Sequence, residues 1–166
     1  MIRRSFTLLL FATALFGLSN CGLRSREYSG PEVTSIHVNK RSRKMFLFHR
    51  RRVLKEYDIA LGFSPVGAKR VEGDGKTPEG TYYIDRHNPN SKFHKSLGIS
   101  YPNEKDVKRA RALGKGAGGD IFIHGQPNTY DVTADDWTWG CIAVENHEMD
   151  EIYWMVRKGT PVTIRA

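Results

Sequence analysis

The chain has 166 residues, 39% of them hydrophobic, and a formal net charge of +8. That length supports one domain with a real core and excludes two comfortable ones. The basic surplus points to an anionic partner: nucleic acid, phospholipid headgroups or the acidic polymers of a cell wall.

The first element is a leader. "MIRRSF" is a short basic start and "TLLLFATALFGL" an apolar run, with the length of a signal-peptide core and too short for a membrane span. Residues 1–20 therefore read as a signal peptide and the protein as exported. Leu18, Ser19 and Asn20 lead into Cys21, a sequence close to a lipobox, so Cys21 is a candidate for lipidation and for anchoring a periplasmic or cell-envelope protein to a membrane. Cleavage removes Arg3 and Arg4 and no acid, which leaves 24 basic against 18 acidic side chains. The mature protein stays basic, and export argues against a nucleic-acid partner. Residues 21–31 are small, polar and turn-forming and read as a tether; residues 32–166 form the domain.

"VTSIHV", "KMFLFH" and "RVLKEYDIAL" are β-branched and aromatic segments between charged turns, a strand meander. Gly, Pro and Asp then crowd around Asp74 to Gly80 before the alternating "TYYID", a long turn leading into a strand. A short helix is expected after Asn103 as its N-cap, with Val107, Ala110 and Leu113 on one side and Gly114 as the stop. "GGDIFIHG" is a buried strand that ends on His124. Asn146 is placed as the N-cap of a second helix whose face carries Met149, Ile152, Tyr153 and Val156. Gly159 ends it, and "TPVTIRA" closes the chain as a strand. The expectation is a mainly β domain with two short helices.

With Cys21 lipidated, Cys141 has no partner for a disulfide and remains a lone thiol in an oxidising compartment. Nucleophilic cysteine chemistry needs a thiol that can ionise, an imidazole to take its proton, and donors for an oxyanion. His124 ends a strand, which is a rigid mount, and Cys141 follows Gly140, where the lack of a side chain lets backbone amides face a carbonyl. Spacing alone leaves two readings of Cys141 open, a nucleophile served by His124 or a buried structural cysteine. No H-x-x-x-H or C-x-x-C pair supports a metal site, and no cofactor is expected.

His124-Gly125 together with Thr138-Trp139-Gly140-Cys141 resembles the signature of the L,D-transpeptidase catalytic domain, the YkuD-type family, and "GDGKTPEGTYYID" and "SLGISYP" upstream are similar to it as well. The resemblance runs from about residue 33 to residue 165. It implies a YkuD-like β-sandwich and a peptidoglycan enzyme in which Cys141 forms a thioester with a stem peptide and His124 is its acid-base partner. By the family pattern the Gly125 carbonyl orients the imidazole, and the amides of Trp139, Gly140 and Cys141 form the oxyanion hole. His94, Tyr101, Thr138 and the Trp139 side chain are implied in substrate binding. An amine acceptor, including one that attaches a protein to the wall, gives L,D-transpeptidation; water gives hydrolysis. Ala143 stands where many members carry Arg or Asn, which opens hydrolytic release of crosslinks or wall-attached proteins as the second outcome. A catalytically silent wall-binding module is the third.

Overall fold

Residues 28–166 are described by a computed structural model; the expected signal peptide, Cys21 and most of the expected tether lie outside them. In β1 (Ser35–Asn39), Ile36 and Val38 are buried while His37 and Asn39 face solvent, the two-residue period of a strand with one face on a core. β2 (Lys44–His49) buries Met45 and Leu47 in the same way. β3 (Arg52–Asp58) buries only Tyr57 and carries the charged Arg52, Lys55, Glu56 and Asp58, which suits a strand at the edge of the sheet. The order is β3-β2-β1-β8-β4-β5-β6-β7. β4 (Gly80–Ser91) is shared between two neighbours: Gly80 to Tyr83 pair with β8 (Pro161–Arg165), and Ile84 onward pairs with β5 (His94–Ile99). Register shifts after Ile84 and after Asn88 bend it. The bent sheet encloses one core that includes Ile36, Leu47, Tyr82, Leu97, Ile123 and Val162.

The two ends of the sheet are tied together. The segment leaving β3 crosses to β7 (Ile142–Ala143), where Ala60 and Ala143 exchange both backbone hydrogen bonds at 2.9 Å. The fold is a mainly β sandwich with a mixed sheet and two short helices, as the sequence predicts.

α1 (Glu104–Ala112) starts as expected: the Asn103 side chain accepts from the Lys105 and Asp106 N–H groups, and Asp106 accepts from the Asn103 N–H. Its buried side differs from expectation. Asp106 and Ala110 are buried and Leu113 is exposed. The helix docks through a polar contact, the Tyr82 hydroxyl donating to Asp106 at 3.0 Å. α2 (Asn146–Met155) begins one residue earlier than expected. Glu145 is the N-cap, its N–H held by Glu148 at 3.0 Å, because the Asn146 side chain is already engaged by the Gln126 N–H at 2.7 Å. Met149, Ile152 and Met155 are the helix's buried residues.

The Gly- and Asp-rich turn is organised by Asp74, which accepts from the Lys69 ammonium and from the N–H groups of Arg70, Val71 and Lys76. Burial alone would raise its carboxyl pKa; the hydrogen bonds outweigh that and hold it below the usual 3.8. Asp74 therefore contributes stability that is present above its unfolded pKa and is lost as pH falls through the lowered folded value. Asp74→Ala strands the buried ammonium of Lys69 and is expected to cost about 3 kcal/mol, measurable by urea unfolding at neutral pH.

Candidate active site

β6 (Phe122–His124) and β7 run parallel, with Ile123 beside Ile142 and His124 beside Ala143. Ile123 and Ile142 are fully buried in the core, so the opposite face carries the residues between them in the alternation. Continuing the register by one residue sets Cys141 beside Phe122, whose N–H reaches Sγ at 3.4 Å. Cys141 and His124 thus share a face, offset by one pleat along neighbouring strands, with Cα atoms about 8 Å apart for ordinary strand spacing and rise. Both line a cavity of about 450 Å³.

His124 is 3% exposed, with its ring against Phe93 at 4.6 Å and Trp137 at 5.5 Å between centroids. Nδ1 lies 2.7 Å from the Gly125 carbonyl oxygen. A carbonyl only accepts, so Nδ1 carries the proton and the neutral ring offers Nε2 as a base. Among the described residues no buried side-chain nitrogen lacks a partner, and Nε2 has none, so Nε2 is the atom open to the cavity. Burial lowers the imidazole pKa from 6.5 to about 4, against the raising effect of the Gly125 carbonyl. Gly125 is required by crowding: a Cβ there would fall 2.4 Å from Asn146 Oδ1 and 3.0 Å from His94 Cβ.

Cys141 is partly buried and free. Its S–H donates to the Asp120 carbonyl at 3.5 Å. Burial pushes the thiol pKa up, opposed by the Phe122 N–H. Thiol and imidazole are therefore both neutral at rest, without a hydrogen bond between them. Alkylation of Cys141 by iodoacetamide is expected to be slow at pH 7 and to keep rising past pH 9; a plateau below pH 8 would show a thiolate–imidazolium pair at rest.

The remaining sequence-predicted residues divide. The Gly140 N–H donates to Thr138 Oγ1 at 3.1 Å, so the structure does not leave it free for an oxyanion. Among the described residues the Trp139 and Cys141 N–H groups have no partner. Thr138 is buried, its hydroxyl donating to the Cys141 carbonyl at 2.8 Å; it braces the turn instead of lining the cavity. The Trp139 side chain is 71% exposed and edge-on to Phe63 at 4.9 Å. Tyr101 is 5% exposed, with its hydroxyl donated to the Ala117 carbonyl at 3.0 Å, which places it in the core. His94 turns away to Asp150 on α2, 2.7 Å from Nε2. Ala143, 1% exposed, lines a different groove with Asp58, Asp135, Glu145 and Glu148. Phe93, Lys92, Ser96 and Phe122 line the Cys141 cavity and were not singled out from the sequence; the apolar residues of "SLGI" after a polar turn were the available signal for the strand. Among the described residues no three His, Cys, Asp or Glu side chains converge on a point suited to a metal ion.

Comparison with known proteins agrees with this layout. The family model for the L,D-transpeptidase catalytic domain, YkuD, matches residues 34–164. The candidate L,D-transpeptidase YafK of Escherichia coli K12 is 31% identical over 155 residues, covering 88% of this chain and 57% of that protein; the chain thus spans little more than half the length of that relative. Among solved structures, the helical cell shape determining protein Pgp2 of Campylobacter jejuni superposes with a TM-score of 0.65 at 28% identity, over 83% of this chain and 48% of that one. Bd1075 of Bdellovibrio bacteriovorus gives 0.59 at 25%, over 84% and 50%. A catalytic-domain match over nearly all of the described residues, on a fold that sets a histidine and a cysteine on one face of paired strands, means that the chain belongs to the L,D-transpeptidase (YkuD) family.

Proposed function

We propose that the protein is a peptidoglycan-modifying cysteine enzyme that forms a thioester with stem peptides. The observation that carries this is the shared cavity: His124 and Cys141 line it together from neighbouring strands, and the Trp139 and Cys141 N–H groups of the adjoining turn have no partner among the described residues. Sγ attacks a stem-peptide carbonyl as its proton passes to Nε2, and the Gly125 carbonyl holds the ring in the tautomer that can accept it. The oxyanion takes hydrogen bonds from the Trp139 and Cys141 N–H groups. Collapse expels an amine, which takes the proton from Nε2 and leaves the acyl group on sulfur. A second amine attacking the thioester gives an L,D-crosslink or attaches a protein; water gives the free acid and makes the enzyme a carboxypeptidase or endopeptidase.

Family membership supports action on the cell wall, and so an exported protein in the periplasm or envelope; the lipobox-like sequence before Cys21 supports a lipid anchor there. No helix among the described residues is long and apolar enough to cross a membrane. The likeness to Pgp2 supports a part in cell-wall organisation and cell shape.

The test is mass spectrometry of the protein and of purified muropeptides after incubation. A stem-peptide adduct on Cys141, absent from His124→Ala, is the expected result, and the muropeptide products separate crosslinking from hydrolysis. Unchanged muropeptides and unmodified protein would leave the wall-binding module as the reading.

A further inference from the structure

The cavity beside Cys141 is lined by one anion and one cation. Of its lining residues only Asp120 and Lys92 are ionic at neutral pH, and Asp120 is held by Arg86 at 2.9 Å. Arg86 is shared with Asp85 at 3.1 Å, and Lys95 and His94 are taken up by Asp150. Lys92 takes part in no ion pair among the described residues. It is the one cation among the residues lining the cavity, exposed beside Phe93, Phe122, Ser91 and Ser96.

The lysine sits on a braced backbone. It lies at the tip of the β4–β5 hairpin, where Asn128 reaches across from the loop after His124: its N–H donates to the Lys92 carbonyl at 3.1 Å, its Nδ2 to the Ser91 carbonyl at 3.2 Å, and its Oδ1 accepts from the His94 N–H at 3.1 Å. The next residue, Phe93, packs on the His124 ring and receives the Gly125 N–H on its carbonyl at 3.1 Å. One two-residue unit therefore supports the candidate base and presents a cation to the cavity.

We propose that Lys92 is a specificity-determining residue that pairs with a carboxylate of the acyl-donor peptide, so that the cavity prefers peptides with a free carboxylate close to the scissile carbonyl. This rests on reading the cavity as the donor site. An unpaired ammonium at the edge of the cavity favours an anion over its neutral amide. Two sources share that chemistry, the C-terminal carboxylate of the leaving residue and a side-chain carboxylate of the residue that becomes the acyl group.

The experiment measures binding to full-length Cys141→Ser, which cannot turn over. Three synthetic stem peptides serve as probes: one with both carboxylates free, one amidated at the C-terminus, and one amidated on the side-chain carboxylate of the acyl residue. One amidation is expected to weaken binding about fivefold, about 1 kcal/mol, more at low salt than at high; which one identifies the source. Lys92→Met should abolish the difference and Lys92→Arg should keep it. Equal affinities, a penalty that survives Lys92→Met, or no binding of any probe would overturn the proposal. A Lys92-dependent preference in a protein whose wild type forms no adduct would uphold it and sink the nucleophile instead.

Discussion

Cys141→Ser is expected to lower turnover of stem peptides at least about a thousandfold, as loss of an essential group does in enzymes of this kind. The fold should survive. A serine hydroxyl can keep both contacts of the sulfur, accepting from the Phe122 N–H and donating to the Asp120 carbonyl. What it loses is ionisation. The imidazole meant to take the proton has been lowered to about 4 by burial, a weak base that suits a polarisable thiol attacking in concert and fails with an alcohol. Steady-state rates and thermal unfolding measured on one preparation separate the two effects. A serine variant that keeps more than about a tenth of the activity would remove Cys141 as nucleophile.

Gly140→Ala should be nearly as damaging, through geometry. Gly140 has φ of +120°, which side chains on L residues rarely adopt, and a Cβ there would fall 2.6 Å from the Lys76 carbonyl oxygen. The strain is worth about 1–3 kcal/mol. Relief requires the 138–141 turn to move off the wall formed by Lys76, and that displaces the Trp139 and Cys141 amides together. A shift of about 1 Å in such a constellation costs about a hundredfold in rate. The variant is therefore expected to unfold several degrees earlier and to lose about a hundredfold in kcat. Destabilisation with normal kcat would show that these amides do not hold the oxyanion.

The strand that ends on His124 was legible because an apolar run shows its own periodicity, whereas spacing alone left Cys141 open and only the resemblance of the His124-Gly125 and Thr138–Cys141 segments to a family motif joined the two residues. Asn103 was legible because a capping box closes within one turn. Asn146 misled because a helix cap and a long-range acceptor look alike in sequence, and the Gln126 N–H that claims its side chain lies twenty residues upstream. His94 and Tyr101 are polar aromatics that suit a groove, yet their partners Asp150 and Ala117 come from other elements. The Gly140 amide looked free for want of a side chain, while the competitor for it, the Thr138 hydroxyl, depends on a turn conformation that spacing does not specify. β5 escaped notice because Ser96 to Ile99 are all buried, so that both faces are covered and the strand shows no alternation of burial.

The bridge between Ala60 and Ala143 bears on how the molecule folds. β7 is two residues long and gains its second partner only when a segment from the opposite half of the chain arrives. Closing so long a loop delays that contact relative to the local hairpins β1–β2 and β4–β5. The backbone that carries Cys141 is thus expected among the last parts to be fixed, and the cavity wall it forms is completed only in a chain whose meander is already in place.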